Sequence, residues 1–287
     1  MSFEQIMGAV VGWQTSLEAM SALAAEANLA LSGQSAPPEV AAALHNVREA
    51  AGLDDLGDLA PPQQMMVASL VRMQLAHALD LIDDPARSAG WTYTDPVILD
   101  GWGRGSMMVP ALIAGAQPEF ADFDSVLDVG TGVGLLAVAA AGVWPKAAIV
   151  GVDVWEPSLE RARANVTQAG LDDRITLRNQ DVVDLDDVDA FDCVWVPTFF
   201  VTESVLEDAM PALYRATRPG GWIVLGRFSP PTNPLAAATA ALRTVRGGGA
   251  DLDTDRAIEL LEKAGFTSAH AAPRTGPAPL ELVVGKK

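Results

Sequence analysis

A glycine-rich segment that contains one carboxylate carries the clearest chemical signal in this chain. Residues 126–134 read Val-Leu-Asp-Val-Gly-Thr-Gly-Val-Gly, and an apolar helical stretch, 135–143, follows directly. This pattern predicts a strand, a tight turn and the start of a helix. Because glycine permits positive φ and has no side chain, a ligand can approach the backbone amides at the helix N-terminus. Asp128 places a carboxylate at the same crevice.

Two classes of nucleotide-like cofactor could use such a turn. A dinucleotide site has the form G-x-G-x-x-G/A, and Gly132-Val-Gly134-Leu-Leu-Ala137 fits this pattern. A carboxylate at Asp128, however, suits a cationic ligand with an ammonium group better than it suits a pyrophosphate. The segment resembles the first motif, D-x-G-x-G-x-G, of the class I S-adenosylmethionine (SAM) methyltransferases, and the matching residues are Asp128, Gly130, Gly132 and Gly134.

Further segments follow in the order expected for that family. A second apolar run ends in Asp153, an acid that can accept hydrogen bonds from ribose hydroxyls. NAD sites use the same device, so Asp153 does not separate the two cofactors. The resemblance implies that Asp181 faces the adenine amino group and that Val182 lies against the ring. Residues 191–197 and 218–225 resemble the fourth and fifth motifs of the family.

The resemblance covers residues 95–287 and implies SAM as the cofactor. It also implies an α/β fold, the class I methyltransferase Rossmann-like sheet, which is parallel with one antiparallel strand. The late segments 266–271 and 280–284 match the antiparallel hairpin of that sheet. The residues implied in cofactor binding are Asp128, Gly130, Thr131, Gly132, Gly134, Asp153, Val154, Gln180, Asp181, Val182 and Pro197.

The catalytic residues remain unassigned. Plant-type O-methyltransferases place a His-Asp pair soon after the fourth strand, whereas this chain reads Pro-Thr-Phe-Phe-Val-Thr-Glu over residues 197–203. The Asp/Asn-Pro-Pro-Tyr motif of N-methyltransferases is not matched either, so O-, N- and C-methylation all remain open. The three histidines, His45, His77 and His270, are interpreted as exposed or structurally satisfied. No metal site is predicted, because zinc-type Cys/His spacing is absent.

The residues after the fourth strand indicate what kind of acceptor to expect. Phe199 and Phe200 favour a small apolar or aromatic metabolite, such as a natural-product intermediate. In class I methyltransferases the element before the first motif usually covers the cofactor. The resemblance therefore implies candidates for the lid and for acceptor contacts, which are Trp91, Tyr93, Trp102, Arg104 and Met107. Arg104 could pair with the methionine carboxylate of SAM or lie on the surface beside a glycine turn. Ordinary packing remains the alternative for the aromatic residues.

The first 90 residues form a predicted all-helical domain for dimerisation or lid formation, and residues 91–287 form the predicted SAM-binding domain. Helices are predicted at 3–31, 38–51 and 62–83, followed by a helix at 97–116 broken near 101–105. The glycine run 247–249 predicts a flexible junction. A heptad seam along the first helix comprises Ile6, Val10, Trp13, Leu17, Met20, Ala24, Ala27 and Leu31. Its partner is either another helix of this chain or the same helix in a homodimer.

Composition restricts the partners and the compartment. The formal net charge of −18 disfavours nucleic acid and anionic membrane surfaces. The chain has one cysteine, Cys193, and no secretory or transmembrane pattern, which favours a cytoplasmic location. Two other functions stay open. One is an NAD(P)-dependent oxidoreductase, disfavoured by Asp128 and by the lack of a second domain after the glycine turn. The other is a catalytically inactive SAM-binding scaffold.

Overall fold

The computed structural model describes residues 2–229, 231–274 and 280–287. The chain divides into two compact units, each of which includes two separate segments. The helical unit consists of Met1–Pro85 and Asp95–Gly105, and the α/β unit consists of Ala86–Thr94 and Ser106–Lys287. The predicted boundary between residues 90 and 91 therefore falls inside a segment that belongs to the α/β unit.

The helical unit starts with three helices whose ends agree with simple capping rules. Ser2 and Gln5 form a capping box at the first helix, and Gly33 ends it in the left-handed conformation. The second and third helices begin at prolines, which are tolerated at a helix start. The helices are α1 Phe3–Ser32, α2 Pro38–Ala50 and α3 Pro61–Asp83.

One helix of the described residues, α3, is long and apolar enough to cross a membrane by length and composition alone. It is interrupted by Arg72 and Asp80. In the structure it packs against α1, and Ala68 and Met73 are buried inside the helical unit.

The heptad seam of α1 is divided between burial and exposure. In its C-terminal half, Ala24 and Ala27 are buried in the helical unit. In its N-terminal half, by contrast, the seam is open to solvent in the described structure. The exposed fractions there are 49% for Ile6, 50% for Val10, 56% for Trp13, 46% for Leu17 and 40% for Met20.

The predicted helix over 97–116 is broken at a different place from the one expected. The structure has α4 Pro96–Ser106 and α5 Val109–Ala116, so the predicted break near 101–105 is wrong. The glycines of that stretch lie within α4 and do not break it. One of them, Gly101, is required for the packing of α4 against α3. A Cβ on Gly101 would lie 2.6 Å from Cβ of Met73 in α3, and only glycine permits this close approach of the two helices.

The α/β unit contains one seven-stranded sheet, which confirms the predicted fold class. The strand order is β3-β2-β1-β4-β5-β7-β6, and β7 runs antiparallel to both of its neighbours. The strands are β1 Ser125–Val129, β2 Ala148–Asp153, β3 Ile175–Asn179, β4 Phe191–Pro197, β5 Thr217–Phe228, β6 Thr267–Ala271 and β7 Leu280–Lys286. The remaining helices are α6 Leu135–Val143, α7 Glu156–Gln168, α8 Glu203–Ala216, α9 Pro234–Arg246 and α10 Thr254–Lys263.

The central strands are buried on both faces, as parallel sheets require. Alternation along β4 sends Val194 into the core on one face, and Cys193 and Trp195 into the core on the other. Burial raises the pKa of the Cys193 thiol, as expected for a core residue rather than a nucleophile. The order reverses between β1 and β4, so β1 leads to β2 on one side and β4 leads to β5 on the other. A crevice at the carboxyl ends of β1 and β4 is the usual ligand site of such sheets.

The contact between α3 and α4 yields a stability prediction. We expect Gly101→Ala to lower the free energy of unfolding by about 1–3 kcal/mol, because the new methyl group overlaps Met73. Gly105→Ala is the matched control in the same helix, since nothing lies within 4 Å of its added Cβ. This control should stabilise the protein by up to about 1 kcal/mol through helix propensity. Urea unfolding followed by circular dichroism measures both values, and equal changes in the two variants would contradict the packing argument.

Candidate functional site

The glycine turn between β1 and α6 has the backbone conformation that its sequence predicts. The φ angles of Gly130, Gly132 and Gly134 are 65°, 55° and 74°, a region that other residues rarely adopt. Helix α6 begins directly afterwards, and no side chain caps its N-terminus. The turn therefore presents a helix N-terminus to a ligand without side chains between them, an arrangement suited to an anionic group.

A second predicted residue, Thr131, connects this turn to the buried acid. Its hydroxyl donates a hydrogen bond of 2.7 Å to Asp128 Oδ2, and its amide donates to the carbonyl of Val152 at 3.0 Å. The threonine packs directly over Gly151 of β2, where an added Cβ would lie 2.6 Å from Thr131 Oγ1. Gly151 was not among the predicted site residues, although a glycine inside a strand is a recognised sign of a close approach.

Asp153 joins three strand ends at the carboxyl edge of the sheet. Its Oδ2 accepts a hydrogen bond of 2.8 Å from the amide of Gly132, and its Oδ1 accepts one of 2.8 Å from the amide of Trp155. Its carbonyl accepts a hydrogen bond from the amide of Gln180, which follows β3. The carboxylate is thus held in one orientation, and carboxylate oxygens have further acceptor capacity for ligand hydroxyls.

The two acids share a low-polarity environment. Burial raises the pKa of Asp128 to about 7, opposed by the hydrogen bond from Thr131 and assisted by the charge of Asp153. Burial also raises the pKa of Asp153, opposed by hydrogen bonds from the amides of Trp155, Gly132 and Val154. A cationic ligand would relieve both penalties, because it supplies the opposite charge that the protein itself lacks at this position.

The remaining predicted cofactor residues lie at the same edge of the sheet. Asp181 accepts a hydrogen bond of 3.1 Å from the amide of Val183 and starts a short 3₁₀ turn in which Val182 is buried. Gln180 donates to the carbonyl of Asp184 at 3.1 Å. Val154 is 61% exposed just beyond β2, and Pro197 ends β4 beside Gly130.

The predicted acceptor residues Phe199 and Phe200 belong to an aromatic cluster. Their rings lie 4.7 Å apart; Phe199 also stacks on Phe228 at 4.3 Å, and Phe200 lies 4.8 Å from Trp91. Trp91 in turn contacts Tyr93 at 5.2 Å. These aromatic residues follow β4, end β5 or belong to the segment 86–94, which brings the cluster to the carboxyl ends of those two strands.

The other three acceptor candidates, Trp102, Arg104 and Met107, do not belong to this aromatic cluster. In the helical unit, Trp102 Nε1 donates to His77 Nε2 at 2.8 Å, and Arg104 donates to Ser69 Oγ at 3.1 Å. Met107 lies in the α/β unit between α4 and α5 and is 40% exposed. Their contact with acceptor or cofactor stays a prediction, as does the pairing of Arg104 with a carboxylate.

The histidines all have local partners, so geometry does not point to a general base among them. His77 accepts from Trp102, His45 Nδ1 lies 2.8 Å from Arg48, and His270 Nδ1 lies 2.7 Å from the carbonyl of Ser268. Within the described ranges, no group of three or more His, Cys, Asp or Glu side chains could hold a metal ion.

The glycines at 247–249, predicted to form a flexible junction, pack closely against other parts of the chain. A Cβ on Gly249 would lie 2.0 Å from the carbonyl oxygen of Phe199, and one on Gly248 would lie 2.8 Å from Cα of Gly90. Another residue missed from the sequence is Trp155, whose Nε1 donates to the carbonyl of Tyr93 at 2.8 Å. It connects the end of β2 with the aromatic cluster. No local sequence pattern predicts the packing of these glycines or the Trp155–Tyr93 hydrogen bond, because each contact joins distant parts of the chain.

The buried acid yields a pH prediction. Burial raises the pKa of Asp128 from its ordinary 3.8 to about 7 in the folded protein. The stability that this acid contributes is therefore fully present below the lower pKa and is lost as the pH rises through the higher one. We expect Asp128→Asn, which keeps an acceptor for Thr131, to gain stability relative to the wild type from about pH 5 to about pH 8. Urea unfolding of the ligand-free protein tests this, with the exposed Glu119→Gln as control. A stability difference that does not vary with pH would refute the assigned cause.

These residues fit the cofactor that the sequence implies. The open helix N-terminus suits a carboxylate, the held Asp153 suits ribose hydroxyls, and the buried Asp128 suits a nearby positive charge. SAM carries all three groups. The fit rests on the donor and acceptor set that the turn and the strand ends present.

Comparison with known proteins identifies methyltransferases that are similar to part of this chain. A family profile described as "Methyltransferase domain" matches residues 126–221. A release factor glutamine methyltransferase of Rhodopirellula baltica is 35% identical over 103 residues, which make up 36% of this chain and 34% of that protein. The chain therefore spans about a third of the length of this relative.

Solved structures resemble nearly the whole chain. Human N-acetylserotonin methyltransferase in complex with SAM has a TM-score of 0.68 at 14% identity, covering 100% of this chain and 99% of that chain. The mitomycin 7-O-methyltransferase MmcR has a TM-score of 0.63 at 20% identity, covering 99% of this chain and 98% of that chain. At these identities the likeness shows the fold alone. The family profile shows that residues 126–221 are similar to a methyltransferase domain, and the chain has the fold of these two methyltransferase structures.

Proposed function

We propose that this protein transfers a methyl group from SAM to a small apolar or aromatic metabolite. The observation that carries the proposal is the joint arrangement of the open glycine turn, the buried Asp128 and the Asp153 carboxylate held by the amides of Gly132 and Trp155. SAM supplies a methyl group already activated by its sulfonium. The protein must hold the acceptor in line with that group and exclude water.

The acceptor side is supported by the aromatic cluster. The rings of Phe199, Phe200, Phe228 and Trp91 gather where β4 and β5 end, beside the cofactor edge. Flat apolar surfaces of this kind suit an aromatic body. The mitomycin 7-O-methyltransferase is a structural neighbour, which favours a hydroxyl oxygen as the methylated atom and a natural-product intermediate as the acceptor.

The two alternatives receive less support. An NAD(P)-dependent enzyme would place a negatively charged pyrophosphate next to Asp128. This acid is almost fully buried and already lies near the like charge of Asp153, so a further negative charge is unfavourable there. An inactive SAM-binding scaffold would need no acceptor surface, yet partly exposed rings flank the cofactor edge. Binding and turnover measurements separate the three functions.

We also propose that the protein forms a homodimer through α1. The N-terminal half of this helix exposes both the heptad seam and further large apolar side chains, including Phe3 at 74% and Val11 at 59%. In proteins most of the stability of a helix comes from the packing of its apolar face. The same seam in a second copy of the chain offers a complementary surface.

The cofactor assignment makes a binding prediction. SAM and S-adenosylhomocysteine should bind the purified protein in isothermal titration, whereas NAD(H) should not. Asp153→Ala and Asp181→Ala should each weaken both ligands about 10-fold or more, since hydrogen bonds to charged groups contribute about 1.5–3 kcal/mol. Asp122→Ala, an exposed carboxylate paired with Lys146, is the control. Binding of NAD(H) alone, or of no ligand, would sink the methyltransferase proposal.

The dimer makes a separate prediction. Light scattering after gel filtration should give twice the chain mass of 30.1 kDa for the wild type. Leu17→Glu should yield monomers, because a charge in the seam cannot be desolvated without cost. Thr15→Glu adds the same charge about 200° around the helix and should remain dimeric. A wild-type monomer, or equal dissociation of both variants, would count against the α1 interface.

A further inference from the structure

Among the residues that the structure describes, Arg243 of α9 is a cation whose Nε has no hydrogen-bond partner. It is half-buried, and its Nε is enclosed with no hydrogen-bond acceptor within reach. In the described part of the chain its guanidinium contacts an aromatic ring and forms no ion pair, although the protein carries 37 acidic residues that could supply a counter-ion. Burial alone lowers the pKa of Arg243, with no carboxylate opposing it. An unpaired charge withdrawn from water costs free energy, so its position calls for a physical reason.

The position of Arg243 places it at the acceptor side of the site. Its guanidinium carbon lies 5.8 Å from the centroid of the Phe228 ring, which is within cation–π range. Phe228 is the last residue of β5 and stacks on Phe199, which follows β4. The guanidinium therefore belongs to the same aromatic cluster that flanks the carboxyl edge of the sheet.

A second buried donor follows Phe228 in the chain. The hydroxyl oxygen of Ser229, the residue after Phe228, is buried and has no hydrogen-bond partner. Buried hydroxyl groups are normally satisfied, and an unsatisfied one is a reason to look for a missing partner. Arg243 lies on α9 and Ser229 follows β5, so the two groups without a hydrogen-bond partner belong to different elements of the chain.

The segment that carries Arg243 is held firmly against the cluster. The amide of Ala250 donates to the carbonyls of Thr198 and Val201, both at 3.0 Å, and Gly249 packs on the backbone of Phe199. The amide of Gly90 donates to the carbonyl of Arg246 at the end of α9. The backbone next to Arg243 is thus fixed before any ligand arrives, which lowers the entropy cost of binding.

We propose that Arg243 and Ser229 bind a carboxylate of the methyl acceptor, which makes the acceptor an aromatic acid. A guanidinium donates two parallel hydrogen bonds to a planar carboxylate, and its single charge matches a single carboxylate rather than a phosphate dianion. The partly exposed rings of Phe228, Phe200 and Trp91 would receive the planar body. This inference rests on the proposed function, because it names the class of substrate for that same site.

The test compares acids with their neutral amides. The full-length protein saturated with S-adenosylhomocysteine is titrated with salicylic acid, salicylamide, hydroxynaphthoic acid and hydroxynaphthamide. We expect each acid to bind at least about 10-fold more tightly than its amide, because a charge-assisted pair is lost in the amide. Arg243→Gln should abolish this preference and leave S-adenosylhomocysteine affinity unchanged. Arg72→Gln, which removes an exposed arginine of the helical unit, should keep the preference.

A second readout separates binding from a structural role. Arg243→Met keeps an unbranched apolar stem over Phe228 and removes the charge. If the charge serves a ligand, the unfolding midpoint of the ligand-free protein should stay the same or rise. A fall in that midpoint would assign Arg243 a structural role and overturn the proposal.

Three binding outcomes would also overturn it: equal affinities for acid and amide, an undiminished preference in Arg243→Gln, or no binding of either acid. In each of these cases S-adenosylhomocysteine still binds, so the proposed function survives. Loss of S-adenosylhomocysteine binding by the wild type would instead refute the proposed function itself.

Discussion

The geometry of the site depends on the hydrogen bonds that the carboxylate of Asp153 accepts. Asp153 fixes the amide of Gly132 in the turn after β1 and the amide of Trp155 before α7, while its own carbonyl fixes Gln180 after β3. The turn is therefore not positioned by glycine alone, because glycine permits many conformations and an acceptor must select one. This use of Asp153 requires the burial of a second acid beside Asp128, and burial raises the pKa of both acids.

The sequence was sufficient for the features that arise from local patterns. The glycine turn, the acids at the strand ends and the helix over 135–143 were predictable, because each depends on neighbouring residues and on the usual periods of helix and strand. The antiparallel strand at the end of the sheet was predictable only through the family resemblance. The exposure of the first half of α1 could not be foreseen, since a heptad seam does not reveal which helix, if any, covers it.

Features that depend on distant contacts were predicted poorly, and glycine shows why. Gly101 and Gly249 read as a helix break and as part of a flexible junction, yet both permit close packing against residues far away in the chain. The absence of a side chain has opposite meanings in these two settings, and only the tertiary structure distinguishes them. Arg243 was overlooked for a related reason, because an arginine in an amphipathic helix is ordinary until its surroundings are known.

The alternation of the two units along the chain affects how this protein can be divided or recombined. The chain leaves the helical unit after Pro85, returns to it at Asp95 and leaves it again after Gly105. A cut at residue 90 would separate Arg87 from Tyr93, whose hydroxyl it binds at 2.7 Å, and from the carbonyl of Arg246. The helical unit is thus not an interchangeable cassette. An exchange of the helical unit between related enzymes would preserve the aromatic cluster only if segment 86–94 were kept together with the α/β unit to which it belongs.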